Sequence, residues 1–128
     1  MISTASEPAP ELALRAIAMP AFANSNGDIF GGWLLSQMDL AGDAVARRRA
    51  KGRVVTIAIK GMVFRRPVLV GDEVSCYAEI VATGRTSLTV KIMAFARRAR
   101  TGETIEVTEG IFTYVAVDDQ LKPRPIPA

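Results

Sequence analysis

The stretch NSNGDIFGGWLLSQMDLAGDAVARRR, residues 24–49, decides how this chain folds. A loop of turn-forming Asn, Asp and Gly residues runs into a helix through the glycine pair Gly31 and Gly32. The apolar residues that follow recur at helical spacing, namely Leu34, Met38, Ala41 and Val45. We therefore predict a helix from residue 33 to about residue 50.

The glycine pair stands where a helix leaves its first N–H groups without an intrahelical partner. Such a pair is most simply a flexible junction. At this position, however, glycine lets a ligand approach the backbone closely, and the helix dipole adds partial positive charge. Gly31 and Gly32 are therefore candidates for an oxyanion hole, which stabilises a carbonyl oxygen as it becomes negative.

Asp39 lies in the middle of this mostly apolar helix, at the edge of the apolar arc beside Leu35 and Ala46. Taken alone, such a carboxylate is most simply a surface residue or half of a buried ion pair. Partial burial would instead make it a good general base. Asp43, one turn later, falls nearer the polar side and is predicted to be an ordinary solvated charge. Asp28, in the preceding loop, is predicted to cap the helix.

The remainder of the chain alternates in the manner of β-strands. One short strand is predicted before the helix and four long strands after it. Gly84 and Arg85 are predicted to form a two-residue hairpin turn of the Gly-X type. A curved antiparallel sheet can wrap a helix about 25 Å long, so the predicted fold class is α+β. The predicted strands cover residues 11–19, 53–64, 73–83, 87–98 and 104–118.

The chain has 128 residues, which is enough for one domain with a buried core. Residues 1–10, MISTASEPAP, carry neither a basic flank nor an apolar run, so we expect a flexible leader rather than a secretion signal. The domain itself is predicted to cover residues 11–120. The Pro-rich residues 121–128 are predicted to form an extended tail.

The composition excludes several kinds of site. Sixteen basic and thirteen acidic residues give a net charge of +3 with only eight aromatic residues, so a nucleic-acid binder is not expected. The absence of histidine excludes a Ser-His-Asp or Cys-His nucleophile and the usual His-bearing zinc sites. Cys76 is the only cysteine, so neither a thiolate metal cage nor an internal disulfide is expected. Catalysis must therefore use carboxylates, amides, hydroxyls, Lys or Arg, and backbone N–H groups, without a metal or a cofactor.

No apolar run in the sequence reaches the length of a membrane span. The single cysteine gives no sign of an oxidising compartment. We therefore expect a cytoplasmic protein with no membrane partner.

Three stretches of the chain resemble the YciA-type bacterial acyl-CoA thioesterases, which are hotdog-fold proteins. They are AMPAFANSNGDIFGGWLLSQMDLAGDAVA, GRVVTIAIKGMVFRRPVLVGDEVSCYAEIVATGRTSLTVKI and EGIFTYVAVDDQLKPRPIP, and the resemblance spans residues 14–127. The motif NGDIFGGW followed by SQMD is specific to this group, whereas RPVLVGDEV is a more general hotdog feature. The resemblance implies an antiparallel sheet around one long helix, edge-to-edge dimers that share one continuous sheet, and often a trimer of dimers. It also implies active sites at the dimer interface.

By the same resemblance, Asp39 is the catalytic carboxylate, Asn24 the asparagine associated with catalysis, and Gly32 the helix-start amide. Asn24 would lie in a loop that faces the partner's helix. The surface that binds the substrate would comprise Gly31, Val55, Thr56, Gly84, Arg85, Thr86 and Ser87.

We therefore expect an acyl-CoA thioesterase that converts acyl-CoA and water to a free acid and CoA. Two routes stay open: Asp39 activates a water that Asn24 orients, or the Asp39 carboxylate attacks the thioester and forms a mixed anhydride. The alternative is a non-catalytic acyl-CoA binding or sensing protein on the same fold. A carboxylate beside a thioester would gain such a binder little, and a turnover assay separates the two. The expected partners are acyl-CoA, CoA and further copies of the chain, as a homodimer assembled into a homohexamer.

Overall fold

One long helix and one antiparallel sheet make up the computed structural model, which describes residues 10–128. Strand β1 (Glu11–Ile17) comes first, followed by a 3-10 turn (Pro20–Phe22) and helix α1 (Gly31–Ala50). The remaining strands are β2 (Val54–Lys60), β3 (Glu73–Thr83), β4 (Ser87–Arg97) and β5 (Thr104–Ala116). They lie in the order β1-β3-β4-β5-β2, so β1 and β2 form the two edges of the sheet.

The helix contacts all five strands, because the sheet curves around it. The predicted α+β hotdog architecture is therefore confirmed. The only helix long enough to consider as a membrane span among residues 10–128 is α1, and it is not apolar enough to be one.

Several local predictions need correction at the ends of these elements. Strands β1 and β5 each end two residues earlier than predicted, and β4 ends one residue earlier. The helix begins at Gly31, two residues before the predicted start. Strand β2 ends at Lys60 and does not continue to residue 64, because Gly61 takes a left-handed conformation with φ of 76° that breaks the ladder. Asp28 does not cap the helix: the N-cap residue is Phe30, and no side chain caps it. Asp28 lies two residues before the N-cap position, too early in the chain for that role.

The predicted Gly-X hairpin turn is also wrong. The Gly84 N–H donates to the Ser87 carbonyl at 2.8 Å, so Arg85 and Thr86, rather than Gly84 and Arg85, occupy the tip. Gly84 is not among the residues with positive φ, which a Gly-X turn requires at its first central position. Strands β3 and β4 are nevertheless joined at the predicted place.

The core lies between one face of α1 and the concave face of the sheet. The predicted apolar helix positions are all buried: Leu34, Met38, Ala41 and Val45. Alternate residues of β3 and β4 meet them from the sheet, among them Val74, Cys76, Val90 and Ile92. Burial raises the pKa of the Cys76 thiol to about 12, so this thiol is a packing group with no thiolate character near neutral pH.

The C-terminal tail, residues 121–128, contains no helix or strand but packs against the domain. The Ile126 N–H donates to the Arg85 carbonyl at 2.8 Å, and the Arg49 guanidinium donates to the Pro127 carbonyl at 2.7 Å. The tail therefore joins the hairpin tip to the C-terminal end of the helix. Residues 1–9 of the predicted leader lie outside the described part of the chain.

A buried ion pair anchors the loop that leads to the helix. Asp72 is 1% exposed, and its carboxylate accepts a bond from the Leu69 N–H at 2.8 Å and another from the Arg98 guanidinium. Next to Leu69, the Val68 carbonyl accepts the Ile29 N–H at 2.9 Å. The ion pair thereby holds the segment of Val68 and Leu69 in place, and the loop before the helix packs against that segment.

Replacing Asp72 by Ala should lower the free energy of unfolding by about 3 kcal/mol, since removal of one member of a buried pair leaves the other charge without its partner. Denaturant unfolding measures this change. The control is Glu11→Ala, which breaks the exposed pair with Arg48 and should cost less than about 0.5 kcal/mol. Equal losses in the two variants would contradict the anchoring role of Asp72.

Candidate active site

Asp39 lies in the middle of α1 and is half-buried against the sheet edge formed by β5 and β2. One carboxylate oxygen, Oδ1, accepts two hydrogen bonds, from the Thr56 hydroxyl at 2.8 Å and from the Tyr114 hydroxyl at 3.0 Å. The Tyr114 hydroxyl also lies 2.9 Å from the backbone carbonyl oxygen of Asp39. The second carboxylate oxygen, Oδ2, has no hydrogen-bond partner within residues 10–128, so it is the oxygen available to a ligand or a water.

The sheet register brings the two hydroxyls together. Thr56 of β2 and Tyr114 of β5 are directly paired, so their side chains leave the sheet on the same face, toward the helix. The register shifts between Thr56 and Ala58, immediately after this pair. A bulge at such a point re-aims the flanking side chains and increases the local twist. The register of β2 therefore places the Thr56 hydroxyl within hydrogen-bond distance of Asp39.

Tyr114 is fully buried and acts as a donor. Burial, and after it the charge of the Asp39 carboxylate, raise the pKa of Tyr114 well above its ordinary value. The phenol therefore keeps its proton, which it can give to a hydrogen bond with Asp39.

Asn24 lies in the loop before the helix, and its side chain organises that loop. Its Oδ1 accepts the N–H groups of Asn26 at 2.9 Å and of Asp28 at 3.2 Å, the pattern of an Asx turn. Asn24 and Gly31 line one cavity of about 240 Å³, together with Phe64. The structure thus brings together the predicted asparagine and the first of the two predicted glycines.

The helix-start amides are open to a ligand. The N–H groups of Trp33 and Leu34 both donate to the Phe30 carbonyl, whereas those of Gly31 and Gly32 have no backbone acceptor in the described chain. Neither glycine has a positive φ. A Cβ at Gly31 would only touch the Phe64 ring at 3.6 Å, and one at Gly32 would meet nothing within 4 Å. Each glycine therefore has room for a Cβ, and its N–H group is not used by the backbone of the described chain.

The asparagine–glycine cavity and the Asp39 carboxylate do not meet within one subunit. Asp39 follows Gly31 by eight residues, which places it about 12 Å further along the helix axis. The structure therefore separates the predicted helix-start amides from Asp39 along one helix, with Gly31 at one end and Asp39 near the middle.

The predicted substrate-binding residues are divided among three places, and the first of them, Gly31, lies at the helix start in the cavity beside Asn24. Val55 and Thr56 follow one another in β2, and the Thr56 hydroxyl is already committed to Asp39. Gly84, Arg85, Thr86 and Ser87 form the hairpin tip, where Gly84 and Arg85 are exposed and Thr86 and Ser87 are half-buried. The Arg85 guanidinium makes no ion pair or hydrogen bond within residues 10–128, so it is available to an anion. The neighbouring guanidinium of Arg124 is instead occupied by the carbonyls of Ala50 and Val117, each at 3.0 Å.

Sequence reasoning missed Tyr114. The signal was present, because Tyr114 alternates with apolar residues on a predicted strand, and a buried tyrosine hydroxyl normally finds a partner. The partner could not be named without knowing that this position of β5 faces the middle of the helix.

A cavity of about 590 Å³, larger than the one beside Asn24, lies elsewhere, on the outer face of the sheet. It is lined by residues such as Tyr77, Met93 and Phe95, and by none of the predicted site residues. Within the described residues no group of three or more His, Cys, Asp or Glu side chains is placed to hold a metal ion. This cavity is therefore separate from the predicted site residues.

The sheet edge next to Asp39 exposes apolar side chains. Ile57 of β2 is 58% exposed and Leu40 of the helix 56%, although both are large hydrophobic residues. Val63 and Phe64, just after β2, are also exposed. An uncovered strand edge with flanking apolar side chains is a typical surface for pairing with another chain.

Comparison with known proteins places these features in context. A family model described as the thioesterase superfamily matches residues 26–108 of the chain. The acyl-CoA thioester hydrolase YciA of Salmonella typhimurium is 51% identical over 123 residues, covering 94% of this chain and 92% of that protein. YciA of Escherichia coli K12 is 48% identical over 130 residues, covering 99% of this chain and 98% of that protein. The crystal structure of the hexameric thioesterase y2039 from Yersinia pestis matches with a TM-score of 0.90 and 52% identity, over 94% of this chain and 98% of that chain.

Proposed function

The chain belongs to the thioesterase superfamily and, within it, to the YciA-type acyl-CoA thioester hydrolases, and we propose that it hydrolyses the thioester of acyl-CoA to a free acid and CoA. The observation that carries the proposal is the Asp39 carboxylate, which two hydroxyls hold by one oxygen while the other oxygen stays open. In a chain without histidine, such a carboxylate is the group suited to start the reaction.

In the first route, Asp39 Oδ2 takes a proton from a water molecule that the Asn24 amide orients. The water oxygen forms a bond to the thioester carbonyl carbon, and the carbonyl oxygen becomes negative. The N–H groups of Gly32 and Gly31 stabilise that charge. When the intermediate collapses, the C–S bond breaks and CoA leaves as a thiolate. The proton held by Asp39 passes to the thiolate, which restores the Asp39 carboxylate.

In the second route, Asp39 Oδ2 itself attacks the carbonyl carbon. The C–S bond breaks, CoA leaves as a thiolate, and the acyl group stays on Asp39 as a mixed anhydride. Water then hydrolyses the anhydride and restores the carboxylate. Both routes use the same open oxygen and the same helix-start amides.

We propose further that each active site combines two subunits. Within one chain the helix-start amides and Asp39 are about 12 Å apart along the helix, too far for both to contact one thioester group. Pairing of two β2 edges would bury the exposed apolar residues there, such as Ile57, and could bring one subunit's helix start to the other's Asp39. Since y2039 is hexameric, we infer a homodimer as the unit and a trimer of dimers as the full assembly. The cytoplasmic location stays a prediction.

The second candidate, a non-catalytic acyl-CoA binder, is not favoured by the geometry. A binding site for an anionic ligand gains nothing from an open carboxylate oxygen near the thioester. Turnover of any acyl-CoA by the purified protein excludes this candidate.

Replacing Asp39 by Asn should lower kcat roughly 10²–10⁴-fold, because the amide cannot accept the proton or attack the carbonyl. Steady-state hydrolysis of an acyl-CoA measures the loss, and binding of CoA should persist. The matched control is Asp43→Asn, one turn later on the same helix, where the carboxylate pairs with Arg47; its kcat should stay near that of the unmodified enzyme. Near-normal turnover in Asp39→Asn would overturn the proposed chemistry.

Mixing two inactive variants should restore activity if each site uses two subunits. Asn24→Asp removes the amide N–H₂ but keeps the Oδ1 acceptor on which the loop depends. When it is refolded together with Asp39→Asn, random pairing gives about one quarter of the sites both unmodified groups. Recovery of about one quarter of the original kcat is therefore expected. Mixtures no more active than the better parent would show that each site lies within one subunit.

Arg85→Ala should raise KM for acyl-CoA while leaving kcat nearly unchanged, because a phosphate contact remote from the thioester holds ground state and transition state alike. The effect should shrink as salt rises, since ions screen an exposed charge pair. Arg100→Ala, in the turn at the opposite end of the sheet, is the control. An unchanged KM for Arg85→Ala at low salt would show that Arg85 does not bind the phosphates. The basic segment of residues 47–53 would then be tested next.

A further inference from the structure

We infer that Tyr114, seated against the helix at Gly42, is a positioning residue that holds the Asp39 carboxylate with Oδ2 directed toward the reacting group; this inference rests on the proposed function. Tyr114 itself would not touch the substrate, because it is fully buried. It would act through Asp39 alone.

The contact geometry supports this role. The Tyr114 hydroxyl lies 2.9 Å from the Asp39 backbone carbonyl oxygen and 3.0 Å from its carboxylate Oδ1. The single proton of this rigid group is therefore shared between two acceptors, the backbone carbonyl and the carboxylate of the same residue. The Thr56 hydroxyl approaches the same Oδ1 at 2.8 Å, from the neighbouring strand. Two donors on one oxygen fix the plane of the carboxylate and leave the other oxygen for chemistry.

Gly42 allows the Tyr114 ring to pack directly against the helix backbone. A Cβ at position 42 would overlap the Tyr114 hydroxyl and would lie 2.9 Å from Tyr114 Cζ and 2.5 Å from Ile92 Cδ1. Gly42 lies inside the helix and is not among the residues with positive φ, so its backbone conformation does not require glycine. A glycine in a helix interior costs about 1 kcal/mol relative to alanine. The gain that offsets this cost is the close approach of the tyrosine ring to the helix.

The charges around Tyr114 make it a donor and not a base. Its hydroxyl faces the carboxylate of Asp39 and the hydroxyl of Thr56, and the carboxylate of Asp43 lies near enough to act on it through its charge. Burial and these two carboxylates raise the pKa of the phenol well above its ordinary value. At any pH at which the enzyme works, the phenol is therefore protonated, and its effect on the reaction is to orient Asp39.

The test is Tyr114→Phe, which keeps the ring and removes only the hydroxyl. We expect kcat to fall about 10–100-fold with KM nearly unchanged, since a misplaced catalytic group costs rate rather than ground-state binding. The matched control is Tyr77→Phe, because Tyr77 is the only other tyrosine and packs against Phe95 on the outer face of the sheet, with ring centroids 5.7 Å apart. Its kinetics should match those of the unmodified enzyme. Denaturant unfolding of both variants checks that the fold persists.

A double variant separates positioning from a purely structural role. In the Asp39→Asn background, Tyr114→Phe should cause no further loss of kcat, because the group that it orients is already disabled. A further loss as large as that in the unmodified background would overturn the inference, since Tyr114 would then act independently of Asp39. Unchanged kcat in Tyr114→Phe would also overturn it, while the proposed function would stand on the loss in Asp39→Asn. Normal turnover in Asp39→Asn would overturn both.

Discussion

A carboxylate on an otherwise apolar helix face needs hydrogen-bond donors. In this fold the strand order, the strand register and one glycine together place those donors. A half-buried charge without donors would lower the free energy of unfolding, which is small in a domain of this size. Thr56 and Tyr114 supply the donors to Asp39 from two neighbouring strands. For both to reach it, β2 must return beside β5 with these two residues in register, and the helix must lack a side chain at Gly42. The strand order, the register of β2 with β5, and the glycine at position 42 are therefore all needed for the hydrogen bonds to Asp39.

The helix also fixes the distance between the helix-start amides and the Asp39 carboxylate. Its first turn offers two free amides at Gly31 and Gly32, whereas Asp39 comes about two turns later, about 12 Å away. No rearrangement of a rigid helix can bring these groups to one thioester. The uncovered edge of β2, with Ile57 exposed beside it, offers the means to combine the half-sites of two chains. On this account, oligomerisation completes the catalytic site and does more than stabilise the fold.

The sequence predicts the helix, the strands and their wrapping well, because hydrophobic periodicity reflects burial directly. It also singles out Asp39 and the glycine pair as candidates, because a charged residue beside an apolar arc and glycines at a helix start both depart from the local pattern. The hairpin turn and the Asp28 cap are predicted wrongly, because backbone conformation at a turn depends on how neighbouring strands pair. Tyr114 stays unassigned at that stage, since its contact with Asp39 joins residues 75 positions apart. Such a contact follows from strand order, which alternation along the chain does not encode.

The central claim is that one thioester is held between the helix start of one subunit and Asp39 of another. The most direct measurement is a crystal structure of the Asp39→Asn variant with an acyl-CoA that it no longer turns over. The account predicts that the thioester carbonyl oxygen lies within hydrogen-bond distance of the Gly32 N–H of one subunit, while the substituted side chain at position 39 of its partner faces the carbonyl carbon. A thioester bound between the helix start and position 39 of the same subunit, or in the cavity on the outer face of the sheet, would contradict it.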